Sequence, residues 1–406
     1  MFLRFTGNLH RPATRSRGHV NHWSWRVCAA TLVLQAVFYG VRILVSYRLL
    51  ALSGSATTVG VATAVYSLAP LFIAMRVGRA VDRGHIREMF TVGIALTVTG
   101  CLTLAFSETL WIVGVGSVMV GTGQLLVTVA GQGFISVFAA ATQESLDRGF
   151  ARLTLSVSIG QALGIPFVGA IVTHHPHTGV ETTRALLVLA ALGAASLAFV
   201  VKLPGPDKRS ANAIVSHRQS VRQMLRLPGL AAAILSSLVV LTAMDLVVAY
   251  MPVLGQELGF SVTMVSLLIT VRTGASILSR ALLPLVLRFV SRRKLLISAT
   301  LLPALPTAAI PLVDGPWAIA ALMGTAGLFW GIGQPLTMTW VVSLVSPENK
   351  GAALSLRLTG NRLGQVGIPI GAGLAAGLGG TTGVFVIIGC LLAAAAAATT
   401  KSSTAG

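Results

Sequence analysis

Acidic residues are scarce in this sequence: 11 Asp and Glu stand against 30 Lys and Arg among 406 residues, and all charged types together make up 10%. Soluble domains carry about 25% charged residues, whereas 54% of these side chains are hydrophobic. That is more apolar surface than one soluble core can bury, so the shortage of charge excludes an ordinary soluble domain and points to a membrane protein. Cysteine is nearly missing too. Cys28, Cys101 and Cys390 share no metal-ligand spacing and read as small apolar fillers. The chain has no nucleotide-binding Gly loop with its Lys, no HExxH and no GxSxG. Without a P-loop, an ion gradient rather than ATP is the expected energy source.

What the chain does have is long apolar runs. Stretches of about 20 residues, enough as helix to cross roughly 30 Å of hydrocarbon, recur near 26–50, 57–75, 89–107, 111–135, 152–173, 185–201, 229–254, 261–287, 295–313, 316–345, 351–378 and 380–400. Only the connection 202–228 is long. With the N-terminus inside, Lys and Arg crowd the cytoplasmic segments, while the short outer loops hold Glu108, Glu181, Glu257 and Asp314 beside a single Arg184. This is the positive-inside pattern. The net charge of +19 therefore reports topology and contact with anionic membrane lipids, and no nucleic-acid partner is expected. The basic first 25 residues lack an apolar core, so they read as a cytoplasmic tail and not a cleavable leader.

The two halves copy each other. "GIP" at 164–166 lies over "GIP" at 367–369, Gln132 over Gln334 and Gly149 over Gly351, at an offset of 202 that becomes 203 after one inserted residue. With six spans in each half, the second half enters the membrane in the same direction as the first, a parallel repeat about the membrane normal. The expected plan is a basic tail (1–25), a six-helix bundle (26–201), a cytoplasmic linker (202–228), a second six-helix bundle (229–400) and a short tail (401–406). In the same register "RILVSY" at 42–47 lies over "DLVVAY" at 245–250. Arg42 and Asp245 are thus placed at equivalent depth, where they can face each other.

A twelve-span, parallel 6+6 repeat with a basic central loop resembles the major facilitator superfamily over nearly the whole chain. The family's loop motif between spans 2 and 3 reads "GRAVDRGHIR" here. Gly78, Asp82, Arg83 and Arg87 match, His85 and Ile86 depart, and Gly84 stands one place early. The resemblance implies that this loop helps hold the cytoplasmic side shut, with Asp82 meeting the N-terminus of span 11; a merely solvated topogenic loop is the plainer alternative. The second copy, "PLVLRFVSRR", has Arg288 where the acid belongs. Span 5, "GQALGIPFVGA", resembles the Gly and Pro pattern of antiporters in the family, departing at Ile165, and on it export is the expected direction. Span 11 has the same chemistry, however, and span 4 has Val118 near the place of the Arg found in many drug–proton antiporters.

The resemblance also implies a central cavity lined by spans 1, 4, 7 and 10 and flanked by 2, 5, 8 and 11. The intramembrane charges all fall in that set. At about 2.5–3.5 kcal/mol each at mid-membrane, they should face protein or water. Arg272 lies about 16 Å from the outer end of span 8, and Arg362 about 16 Å from the inner end of span 11, too deep to snorkel easily. Arg272, Arg362, Tyr39, Gln132, Gln334 and Asn361 are the expected substrate-binding set; the alternative is structural hydrogen bonding. Asp245 is the one acid within a span. Alone it would take up a proton, and beside Arg42 it stays ionised, so the two are the expected proton-coupling pair and outer gate; snorkelling of Arg42 is the alternative.

The expectation is an all-α integral membrane protein, with twelve transmembrane helices in two six-helix pseudo-repeats around a central cavity. Its expected role is proton-coupled secondary transport of a small organic solute, anionic or amphipathic because Arg outnumbers Asp in the cavity. It is expected to be a monomer in the plasma membrane, both termini cytoplasmic, with no cofactor, metal or catalytic residues. Metal binding by His174, His175 and His177, an integral-membrane enzyme and a transport-inactive sensor are the competing readings.

Overall fold

The computed structural model describes residues 17–53, 55–138, 143–172, 174–175, 179–180, 182–201, 203, 221–345 and 350–402. The first half comprises α1 (Arg17–Ser53), α2 (Ala56–Asp82), α3 (Ile86–Ala105), α4 (Leu110–Phe138), α5 (Gln143–Ile171), α6 (Thr183–Ala195) and the short α7 (Leu197–Val200). A short helix, α8 (Val221–Leu225), precedes the second half: α9 (Leu230–Glu257), α10 (Val262–Val286), α11 (Arg292–Leu301), α12 (Ala304–Ala309), α13 (Pro316–Ser343) and α14 (Lys350–Ser402). Strands β1 (His174–His175) and β2 (Gly179–Val180) form a two-residue antiparallel pairing.

Among the described residues, eleven helical segments are long and apolar enough to cross a membrane. The last of them, Ala353–Thr400, holds two spans in one continuous element. Gly380 divides it with φ 63 and ψ −163, a conformation essentially reserved for glycine. The twelve-span, all-helical expectation therefore stands. Span 6 breaks at Ser196 into α6 and α7, and span 9 breaks at Leu302–Pro303 into α11 and α12, where proline removes an amide donor. The early Gly84 of the α2–α3 loop also has a reason: its φ is 91, so the left-handed turn residue belongs there.

Helix ends follow ordinary capping chemistry. Ser55, Ser261 and Ser291 accept backbone N–H bonds at the starts of α2, α10 and α11. Within each half a first helix meets a glycine-bearing helix closely. Gly160 and Gly164 of α5 press on the backbone of Leu32 and Ala36 in α1, while Gly360 and Gly364 of α14 press on Ile234 and Leu238 in α9. The glycines singled out in spans 5 and 11 thus serve helix packing, which lipid-embedded bundles achieve by small-residue contact. Between halves, α1 packs on α9, α2 on α14 and α5 on α10.

One face of the bundle is basic, carrying Arg79, Arg83 and Arg87 around the α2–α3 turn and Arg292, Arg293 and Lys294 at the start of α11. On the opposite face the halves touch. Thr263 of α10 donates to Gly169 O of α5 at 2.9 Å, and a Cβ on Gly60 of α2 would lie 2.6 Å from Pro369 O of α14.

Candidate functional site

A cavity of about 350 Å³ runs between the halves on the basic-face side of the bundle centre. Apolar side chains such as Val127, Leu153, Val157, Leu241 and Leu358 line it together with Thr31, Gln35, Gln124, Thr128, Gln132 and Gln161. Its deep end is made of ions. Arg42 of α1 pairs with Asp245 of α9 through Nη1 and Oδ1, and Nη2 donates to Oδ2 at 3.4 Å. The two side chains are 12% and 6% exposed. A pair this buried is held by further hydrogen bonds, and here they exist: Gln365 Nε2 donates to Asp245 Oδ2 at 2.6 Å, and Arg362 Nη1 donates to Gln365 Oε1 at 2.9 Å. Behind Arg42, the Tyr66 ring centroid lies 5.0 Å from its Cζ and the Tyr39 centroid 5.7 Å away, cation–π distances. Tyr66 Oη in turn donates to Gln124 Oε1 at 3.0 Å. One chain of contacts thus runs from α4 through α2, α1 and α9 to α14.

A second, smaller space of about 30 Å³ lies beyond the pair. Thr31 to Arg42 of α1 border the cavity, and Arg42 to Ser46 border the smaller chamber. The same division holds on α9, with Leu241 and Asp245 on one side and Asp245 and Ala249 on the other. On α4, Gln124 to Gln132 face the cavity and Ser117 the chamber. Arg42 and Asp245 are the residues the two spaces share.

Of the expected substrate-binding residues, Tyr39, Gln132, Asn361 and Arg362 line the cavity. The Asn361 Oδ1 has no partner among the described residues. Arg272 and Gln334 lie outside this lining. Arg272 is 2% exposed, donates to Thr273 Oγ1 at 3.3 Å and stands 5.8 Å from the Trp330 centroid. Gln334 Nε2 donates to Ser237 O at 3.3 Å, and its Oε1 accepts from Arg357 at 2.6 Å. Arg280 bridges the halves, donating to Gly331 O at 3.0 Å and to Ser158 Oγ at 3.1 Å. Arg48 ties α1 to the end of α3 and the start of α6, donating to Ala105 O, Ser107 O, Ser107 Oγ, Thr182 Oγ1 and Thr183 Oγ1.

In the loop motif, Gly78 has open space about it, Arg83 and Arg87 are exposed, and Asp82 closes α2. The Asp82 side chain lies outside the described ones, as do residues 346–349 before α14, so its contact with the start of span 11 is outside what the structure describes. The side chains of His174 and His175, and all of His177, are likewise outside it. Gln365 and Tyr66 are the site residues that sequence reasoning passed over. The available signal was that Gln365 follows the intramembrane Arg362 by three positions, on the same helix face.

Three comparisons bear on this architecture. No curated protein matches the sequence significantly. Among solved structures, a mutant of the nucleoside transporter NupG superposes with a TM-score of 0.79 at 14% identity, covering 94% of this chain and 99% of that one. A bacterial homologue of the human lysosomal transporter Spinster, inward-facing and unoccupied, gives 0.74 at 14% identity, with 96% and 98% covered. A D-xylose–proton symporter gives 0.73 at 13% identity, with 92% and 97% covered. At such identities the likeness is one of fold alone. The sequence profile of the Major Facilitator Superfamily is more direct, because it matches residues 27–254 and again 233–401. Two matches that together take in nearly every span, on a bundle of that shape, make this multi-pass membrane protein a member of the Major Facilitator Superfamily.

Proposed function

We propose that the protein is a proton-coupled secondary active transporter that moves a small organic anion, or an amphipathic solute with an anionic group, across the plasma membrane by alternating access. The observation that carries this reading is the Arg42–Asp245 pair, which joins the two halves at the deep end of the cavity. Arg362 and Asn361 are the proposed contacts for the anionic group, and Tyr39 and Gln132 for the rest of the solute. Arg42 and Arg362 against Asp245 leave one positive charge at the cavity end. A proton on Asp245 ends the ion pair and leaves two, which favours an anion; by linkage the anion equally favours the proton.

That charge count supports anion and proton moving together. The antiporter-like pattern of α5 gives export no separate support, since α14 uses the same pattern for packing. The positive-inside rule supports a cytoplasmic basic face and cytoplasmic termini, and on that reading the contacts at Gly60 and Gly169 form the outer seal. We further propose a single chain as the working unit. Gly78, Asp82, Arg83 and Arg87 are retained as the proposed inner gate.

Flux into proteoliposomes across a panel of organic anions tests this. The expected result is uptake that collapses with an uncoupler and loses its pH dependence in Asp245→Asn. Unchanged pH dependence in that variant would remove the proton role of Asp245, and no flux with any anion would favour an enzyme or a sensor on this fold.

A further inference from the structure

The Arg42–Asp245 pair is a partition. The solute cavity lies on one side of it and the small chamber on the other, and these two side chains are the ones that border both. The chamber's wall is mostly apolar, but the pair and the hydroxyls of Ser46, Thr63 and Ser117 reach it, and Ser46 and Thr63 each donate to a carbonyl of their own helix. Ser117 is fully buried, and among the described residues its Oγ has no hydrogen-bond partner. Buried hydroxyls are normally satisfied by protein or by ordered water. A water needs roughly 10–15 Å³ of such space and two to four polar partners. The chamber's volume of about 30 Å³ meets the first requirement for one or two waters, and its lining meets the second. It is too small for an organic solute, so whatever enters it does not share the solute's path.

We propose that the chamber is a water site built on Ser117, and that it delivers protons to Asp245 from the opposite face when α2 and α14 part. This rests on the reading of Asp245 as the proton-coupling residue. Hydronium in the chamber gives its proton to a carboxylate oxygen of Asp245, leaving water in the chamber and a neutral acid that no longer holds Arg42. The charged and titratable groups that face Asp245 are Arg42 and Tyr39 on α1, Tyr66 on α2, Arg272 on α10 and Arg362 on α14. All the formal charges in that group are positive, so a proton reaches the carboxylate against them, and water in direct contact provides the route.

Infrared difference spectroscopy of the full-length protein in sealed, oriented bilayer vesicles tests this without any solute. On acidification the wild type should gain a protonated-carboxyl band that Asp245→Asn lacks. With it should come a sharp water O–H band that shifts in oxygen-18 water. Ser117→Ala, which removes only the hydroxyl, should lose the water band. Ser117→Val, which fills the chamber, should gain the carboxyl band when the basic face is acidified but not when the opposite face is. Absence of any carboxyl band that depends on Asp245 overturns the proton-coupling reading itself. A normal carboxyl band with a water band that survives Ser117→Ala overturns the chamber alone, as does equal loading of Ser117→Val from both faces. If Ser117→Val does not fold, Ser117→Ala still decides.

Discussion

Arg42 and Asp245 are 203 residues apart in sequence and in direct contact in space, and 203 is also the interval at which the chain repeats itself. About a twofold axis, equivalent positions meet each other only where they lie beside the axis. The contact therefore marks where the pseudo-twofold passes between α1 and α9. The two equivalent positions carry opposite charges there, so an ion pair stands where two like charges would repel.

Because each partner is almost fully buried, removing one should cost more than removing both. Asp245→Asn or Arg42→Gln alone leaves a buried charge without its counter-ion, a loss of about 3–5 kcal/mol. Arg42→Gln with Asp245→Asn should recover most of that. Thermal unfolding of the four proteins closes a double-mutant cycle; additive losses would mean that the pair contributes no coupling.

How much of this was legible in the sequence depended on what each residue costs in a membrane. The spans follow from hydrophobic length, and the ion pair from charge at matched repeat positions. Arg272 shows the limit. Hydropathy and rise per residue give its depth but not its rotation about the α10 axis, and rotation puts it against Trp330, outside the cavity lining. Gln365 and Tyr66 carry no charge, so their presence in a span raises no alarm; only packing reveals that they complete the network. The α5 glycines carried a functional expectation, yet their contacts with Leu32 and Ala36 are those of any closely packed helix pair.

Gly60 should control the seal on the opposite face. A Cβ there would stand 2.6 Å from Pro369 O and from Tyr250 Oη, and a backbone carbonyl cannot swing aside as a side chain can. Gly60→Ala is therefore expected to favour the state in which α2 and α14 part. The readout is thiol-reagent labelling of Thr57→Cys from the opposite face, expected to rise about tenfold, equivalent to about 1.4 kcal/mol. Equal labelling with and without the methyl group would show that the seal lies elsewhere.

Arg48 should matter for stability rather than transport. Its planar guanidinium reaches acceptors on Ala105, Ser107, Thr182 and Thr183 at once, and a lysine ammonium offers fewer donors and no matching fork. Arg48→Lys should lower the unfolding free energy by about 2 kcal/mol, since hydrogen bonds to charged groups contribute about 1.5–3 kcal/mol. Thermal denaturation measures it, and a shift no larger than that of a surface Arg→Lys control would argue against the staple.

Arg362 and Arg272 make the sharpest contrast, because both are intramembrane arginines at similar depth in the second half, yet only Arg362 lines the cavity. A carboxylate bound at Arg362 gains a charge-assisted contact that glutamine cannot match. Arg362→Gln should therefore weaken anion binding by about tenfold or more, from about 1.5–3 kcal/mol per such bond. Arg272 has two guanidinium nitrogens without partners among the described residues. Replacing a poorly satisfied buried charge with an apolar side chain of similar length is often neutral or stabilising, so Arg272→Met should keep anion binding and hold or raise the melting temperature. Benzoate and benzamide, nearly equal in shape and different in charge, serve as probes in thermal-shift titrations of the purified protein. Stabilisation by benzoate over benzamide should vanish in Arg362→Gln and persist in Arg272→Met; the reverse pattern would place the anion beside Trp330 and not in the cavity.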